Sequence, residues 1–404
     1  MAAAPSGGAL DWRDSIFHAA WPMLALFGFI FLWAEMNHMS ISFGGDYFDA
    51  EHYLAIAHEG YTELYQAAFF PGYPLLLKLF HANAIGAVLL NILLWGAGRA
   101  LLLQQGLISK NTSMLSAVVP AALFYYLPYS EALFFMAGGL VAIGLKHDDN
   151  RFLLPGLLLA VVTRPTSAIL IPALFIARVL KGYQLKNAFM RTLPEALLSL
   201  VMVAIVFVYQ SIYTGDVFSF FEAQKGWGNQ LGSMGLPLFT WGGDLILLLD
   251  SLSLWISLMS AILLIYLYKQ KHPVSTPHAF GLAALAFTGL LVVLSRNGGI
   301  FSLNRFIFAT VFLPLALELV GALRNDKKLI WLAAGSFLLT VLVCGGYVHI
   351  RILGWFLLTG ALMATYVYML RQPSVTIRTG FAVLCIAFQA WFFTQIVLQG
   401  NWLG

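Results

Sequence analysis

Charge is scarce in this sequence. Asp, Glu, Lys and Arg make up only 10% of the 404 residues and hydrophobic residues 60%, whereas a soluble domain carries about 25% charged residues. With a mean hydropathy of +0.82, an ordinary soluble globule is excluded and an all-α polytopic membrane protein is expected. Cysteine is nearly absent too. Cys344 and Cys385 both sit inside apolar runs, so they read as small buried hydrophobes, and neither a disulfide nor a thiolate metal site is supported. The net charge of +4 comes from basic residues scattered between apolar runs, and this argues against a nucleic-acid partner. No cleavable leader is expected, because Met1 to Asp14 is small and polar and the first apolar run is long enough to span. No internal repeat is visible, which weighs against a transporter built from two related halves.

What the chain does have is apolar runs. A span needs roughly 20 apolar residues, fewer where neighbouring helices cover its ends. About thirteen candidates follow from that rule: 17–37, 83–104, 113–128, 130–146, 152–163, 166–181, 191–213, 245–269, 278–295, 303–323, 329–347, 351–371 and 377–398. Pro128, Pro165 and Pro172 break or kink the short ones between 113 and 181. With the N-terminus cytoplasmic, one set of connections collects most of the basic residues, among them Arg13, Lys110, Lys146, Lys181, Lys269, Arg324, Lys328 and Arg371. The other set holds only Lys78, Arg164, Lys225, Arg296, Arg305 and Arg351. The expected arrangement is one transmembrane domain over 1–404, with exoplasmic loops at 38–82 and 214–244.

The first of those loops holds the most polar stretch of the chain. Gly44 to Leu77 reads GGDYFDAEHYLAIAHEGYTELYQAAFFPGYPLLL and carries Asp46, Asp49, Glu51, His52, His58, Glu59 and Glu63. Carboxylates and imidazoles beside a bilayer are costly and need a reason. Other unusual polar groups fall on the same expected face: Tyr129-Ser130-Glu131, Thr163-Arg164, Gln224-Lys225-Gly226-Trp227, and Arg296 to Arg305. The cytoplasmic connections are short, mixed in sign and turn-like. A protein with one chemically loaded face works on that face.

Two roles fit Asp49. At a membrane boundary a partly desolvated carboxylate is a more effective general base, and the same residue could cap the helix that follows, with His52 at N3. His52, His58 and Glu63 lack the spacing of a helical zinc site, so no metal is expected. Phe69 to Pro74 reads as architecture: prolines and a glycine turn the chain back toward the membrane, and the aromatics sit at the interface. Arg164, Arg296 and Arg305 must each be paired or face a polar cavity. Salt bridges to Glu131, Asp216 or Glu222 would satisfy any one of them. Together with Lys225 they suit an anionic lipid phosphate. The aromatics from Phe218 to Trp227 either stack on a sugar ring or anchor in the interface.

These residues resemble a known family. FDAEHYLAIAHEGY followed by AAFFPGYPLLL closely resembles the first luminal loop of the PIG-V family, the second mannosyltransferase of glycosylphosphatidylinositol assembly, and its bacterial relatives. Pro128-Tyr129-Ser130-Glu131, Thr163-Arg164-Pro165, Tyr213-Thr214-Gly215-Asp216 through Trp227, and Ser302 to Phe306 resemble its weaker motifs in order. The resemblance covers roughly residues 44 to 310. Phe48 stands where a tryptophan is usual and Phe306 where a tyrosine is common, and both keep an aromatic.

The resemblance implies a GT-C glycosyltransferase of about 11–13 spans. It would transfer mannose, with inversion, from a polyprenyl-phosphate mannose to an acceptor hydroxyl on a glycolipid or lipid-linked glycan. Asp49 would be the catalytic base. Glu51 and His52 would position donor or acceptor, and Arg164, Lys225 and Arg305 would neutralise the lipid-phosphate leaving group. Tyr129, Glu131, Gln224, Trp227 and Arg296 complete the expected substrate-binding set. No cofactor beyond the donor substrate is expected. The partners are membrane lipids, the donor and the acceptor, and the protein is expected to act as a monomer. The compact loops look bacterial, placing it in a cytoplasmic membrane, or in the endoplasmic reticulum if the chain is eukaryotic. The competing reading is a transporter or flippase for a lipid-linked sugar, and a third is an inactive scaffold subunit.

Overall fold

The computed structural model describes residues 10–38, 48–230, 235–241, 243–323, 326–345 and 350–396. Among them the chain is all α-helical, with seventeen α-helices and no strand. In order these are α1 (Trp12–Met36), α2 (Asp49–Glu59), α3 (Gly72–Leu79), α4 (Ala84–Gln104), α5 (Lys110–Ala117), α6 (Glu131–His147), α7 (Asn150–Thr163), α8 (Leu170–Leu180) and α9 (Leu185–Thr214). There follow α10 (Ser219–Gly226), α11 (Gly243–Lys269), α12 (Thr276–Ser295), α13 (Leu303–Phe308), α14 (Phe312–Ala322), α15 (Lys327–Val343), α16 (Ile350–Arg371) and α17 (Val375–Ile396).

Among the described residues six helices are long and apolar enough to cross a membrane: Trp12–Met36, Ala84–Gln104, Leu185–Thr214, Gly243–Lys269, Thr276–Ser295 and Ile352–Arg371. Large apolar side chains on the outside of the bundle agree with a lipid surround. On α9, Leu197, Leu200, Val201, Ile205, Val208 and Ile212 all point outward. Most of the remaining apolar helices are shorter, the 22-residue α17 excepted, and not every expected span is a single helix. The 113–128 run stops as α5 at Ala117 and resumes as a 3-10 turn over Pro120–Tyr125, because Pro120 lacks the N–H a continuing helix needs. The 303–323 run breaks between α13 and α14.

Local chemistry fixes the ends. Asp11 caps α1 by accepting from the Asp14 N–H at 2.8 Å, and Asn83 caps α4 through the Gly86 N–H at 2.9 Å. The tightest pairing is α6 against α7, two antiparallel helices joined by a short turn at Asp148. A Cβ on Gly156 would lie 2.7 Å from the Ala137 carbonyl oxygen, so only glycine lets these backbones approach so closely. That approach brings the start of α6 and the end of α7 to one end of the bundle, where α2 and α3 also pack. Gly72 repeats the device: a Cβ there would lie 2.7 Å from the Val162 carbonyl oxygen, so glycine seats α3 against the last turn of α7.

Ionisable side chains also occur inside the helices, which the apolar runs had not suggested. Arg99 donates to the Ala19 carbonyl at 2.6 Å and the Ser113 carbonyl at 2.7 Å. Arg178 pairs with Glu195 at 2.6 Å, and Glu318 accepts from the Ser109 N–H at 2.8 Å. Each is buried with its partner supplied by a neighbouring helix, as a buried charge requires.

Candidate functional site

Four charged side chains from four elements meet at one end of the bundle. Glu131 is the first residue of α6, Arg164 directly follows α7, Arg305 lies on α13, and Asp49 begins α2. Glu131 Oε1 takes both arginines, Arg164 Nη1 at 2.7 Å and Arg305 Nε. Arg305 Nη1 also pairs with Asp49 Oδ2. Burial grades the cluster. The Glu131 side chain is 0% exposed, Arg305 5%, Arg164 7% and Asp49 23%, so Asp49 is the outward member. Two positive and two negative groups balance, which lets such a cluster exist away from water.

Aromatic rings line the guanidinium groups. Arg305 Cζ lies 4.4 Å from the Tyr129 ring centre and 5.3 Å from Phe124, and Arg164 Cζ lies 4.9 Å from Phe306. Phe306 also faces Arg296, whose Cζ is 5.3 Å from its ring centre. Arg296 joins no ion pair of the cluster. Its Nε donates to Asn229 at 3.0 Å, Asn229 donates on to Gln224 at 2.6 Å, and its Nη1 donates to the Phe301 carbonyl oxygen.

The loop that delivers Asp49 is held from several sides. The Tyr53 phenol is hydrogen-bonded to the Ser130 hydroxyl at 2.8 Å, one turn along α2 from Asp49 and next to Glu131. Burial pushes the Tyr53 phenol up to about 12, so it stays protonated in that bond. Gln210 on α9 donates to the Ala67 and Phe69 carbonyls at 2.9 and 3.2 Å. His52 sits among Tyr65, Phe69 and Trp227 with ring centres 5.1, 5.1 and 5.8 Å away, and Trp227 Nε1 donates to the Tyr65 carbonyl at 3.1 Å.

The structure thus unites Asp49, Glu131, Arg164 and Arg305, with Tyr129 against them. It places His52 and Trp227 together in an aromatic group and links Gln224 to Arg296. Glu51 and Lys225 are exposed, on α2 and α10, and among the described residues neither joins the ion-pair cluster. Asp46 lies outside the described residues.

Two expectations are corrected. Asp49 does not cap α2: Phe48 occupies the N-cap with no side-chain cap bond, and the Asp49 carboxylate turns to Arg305. Nor do Phe69, Phe70 and Tyr73 point outward as interfacial anchors would. All three are buried, Phe69 and Tyr73 with ring centres 5.1 and 5.2 Å from that of Tyr53, because the loop folds onto the bundle.

Residues outside the expected set support the site. Asp250, fully buried in α11, accepts from the Asn304 N–H at 2.9 Å, from Asn304 Nδ2 at 2.8 Å and from the Thr240 hydroxyl at 2.7 Å. It holds the first turn of α13 just before Arg305. Asn91 in α4 donates to the Tyr129 carbonyl at 2.8 Å and fixes the turn entering α6. Their one signal in the sequence was a polar residue inside an apolar run. Among the described residues no group of three His, Cys, Asp or Glu side chains is placed to hold a metal ion. Glu131 Oε2 is buried without a hydrogen-bond partner among the described residues, so the site keeps one acceptor unused. No protein-family model, curated protein or solved structure matches this chain.

Proposed function

We propose that this protein is a membrane glycosyltransferase of the GT-C type, related to the PIG-V family. In this reading it moves mannose from polyprenyl-phosphate mannose to an acceptor hydroxyl at the exoplasmic surface of a cytoplasmic membrane. The observation that carries the proposal is the pairing of an accessible carboxylate, Asp49, with a buried guanidinium, Arg305, that is itself anchored by Glu131. A transferase of this class needs a base beside a phosphate-binding cation, within the length of one sugar.

The chemistry balances on these groups. The acceptor oxygen bonds to the anomeric carbon as the bond from that carbon to the phosphate oxygen breaks, on the opposite face, with inversion. The electron pair leaves on polyprenyl phosphate, which gains one negative charge, and the acceptor proton passes to Asp49. Arg305 and Arg164 therefore bind the transition state and the departing phosphate more strongly than the donor, which is what accelerates the step. The group around His52 and Trp227 offers the sugar a ring face. Lys225 is exposed on α10 and outside the ion-pair cluster, so in this reading the phosphate falls to Arg305 and Arg164.

A flippase for the same lipid-linked sugar is the alternative, and the buried ionisable residues within α4, α9 and α11 favour it. Yet Arg99, Glu195 and Asp250 each have local partners, which fits a structural role better than a transport path. Transfer of labelled mannose by the purified protein, tested beside lipid flipping in vesicles, separates the two. Flipping without transfer sinks the transferase reading.

A further inference from the structure

From the Asp49–Arg305–Glu131 geometry we infer that Asp49 and a phosphate group compete for the same guanidinium, so that the phosphate frees the carboxylate as it binds. The inference rests on the proposed function for its choice of ligand, and it adds how the base is controlled.

Arg305 has two acidic partners of different kinds. Glu131 is fully buried, shares one oxygen between two arginines, and sits on α6 within the bundle core. Asp49 is the only one of the four cluster side chains with substantial exposure, at 23%, and it is the first residue of a short loop helix. The Arg305 side chain is 5% exposed and lies over the Tyr129 ring, so its charge is cut off from water. A buried guanidinium cannot be left unpartnered without a large penalty. Glu131 keeps one side of Arg305 paired, so at the other side the exchange of one anion for another costs less than the loss of Asp49 alone. Approach from outside reaches Asp49 first and Glu131 last.

A phosphate suits the exchange. It presents several oxygens to a guanidinium and can reach Arg164 as well, because both arginines already converge on one carboxylate oxygen. As it takes the Arg305 contact, the Asp49 carboxylate is released beside the bound donor. Without donor, Asp49 stays tied to Arg305 and does not activate water. After transfer Asp49 carries the acceptor proton. Once that proton is lost, the carboxylate re-forms its pair with Arg305 and helps expel the phosphate. One ion pair thus makes base activity conditional on the donor and assists product release.

The test is equilibrium binding of two probes, polyprenyl phosphate in detergent micelles and inorganic phosphate, to the full-length protein. The variants are Asp49→Asn, Asp49→Ala and, as a charge control, Glu59→Gln, which removes an exposed carboxylate at the other end of α2. Competition predicts that both Asp49 variants bind polyprenyl phosphate tenfold or more tightly than wild type, while Glu59→Gln changes affinity less than twofold. Tightening with both probes assigns recognition to the phosphate group itself. Tightening with the lipid alone means that the chain is needed to reach the site. Thermal unfolding of each variant in the same detergent confirms that a folded protein is being titrated. Equal or weaker binding by the two Asp49 variants overturns the inference, as does equal tightening by Glu59→Gln or no binding of either probe. A wild-type protein that transfers no sugar while the Asp49 variants still bind tighter would overturn the proposed reaction and leave the exchange standing.

Discussion

At the scale of single residues, the two carboxylates of the cluster differ in what their loss should cost. Asp49 is partly accessible and among the described residues pairs with Arg305 alone, so replacing it should spare the fold and remove the chemistry. Asp49→Asn should lower transfer by about 10²–10⁴-fold, the range for loss of a general base, with an unfolding temperature close to wild type. Glu131 is buried between two arginines, and Glu131→Ala would leave both without that partner. A destabilisation of about 3–5 kcal/mol is expected from a broken buried pair, read by thermal unfolding in detergent, and a variant as stable as wild type would remove Glu131 from that role. These residues were visible in the sequence because a charge amid apolar spans stands out. Their partners were not. Asp49 and Arg305 are 256 positions apart and Glu131 and Arg305 are 174 apart, so only the helix packing decides which arginine meets which carboxylate. Asp250 shows the opposite failure. Its place in the third turn of α11 hides it in an apolar run, and its purpose appears only when Asn304 is seen against it.

At the scale of elements, the site depends on helix ends being brought together. Periodic apolar runs gave the existence of most helices, but not the breaks before Pro120 and between α13 and α14. The second break matters most, because it makes α13 a short separate helix that can turn Arg305 toward α6. Ser302, with a φ of 60°, enters α13 in the left-handed region, and Asp250 accepts the Asn304 N–H that this start leaves without a helical partner. Asp250→Ala should therefore weaken donor binding and cost about 1–3 kcal/mol in stability, the penalty for leaving a buried donor unsatisfied. Asp250→Asn, which keeps an acceptor, should fall between. Unchanged donor affinity in Asp250→Ala would show that α13 holds its position without it. On the other side of the site, Gly72→Ala puts a methyl against the Val162 carbonyl and must lift α3 from α7. A loss of about 1–3 kcal/mol, with reduced transfer, is the expected result from unfolding and activity measured together. Full activity with unchanged stability would mean that α3 can shift at no cost.

At the scale of the whole molecule, the cluster gathers at one end of a bundle whose outer surface carries many large apolar side chains, and Arg99, Arg178, Glu195, Asp250 and Glu318, buried elsewhere, each have a partner inside it. The all-α, multi-pass character was legible from composition, since 10% charged residues with 60% hydrophobic ones lies far from the roughly 25% charge of a soluble domain. The side of the membrane on which the cluster works is a separate claim, resting on the distribution of Lys and Arg. It can be checked with single cysteines in a chain lacking Cys344 and Cys385. Cysteines at Glu51 and Lys225 should react with an impermeant maleimide on intact cells. Those at Asp148 and Lys271 should react only after permeabilisation, all four positions being exposed. The reverse pattern would place the cluster on the cytoplasmic side and remove the exoplasmic donor from the account. The most direct test of the central claim remains transfer itself. Purified protein in detergent would be given radiolabelled polyprenyl-phosphate mannose and a panel of glycolipid and glycan acceptors, with Asp49→Asn alongside. The account predicts label on an acceptor with the wild type and none above background with the variant. Equal transfer by both proteins would contradict it.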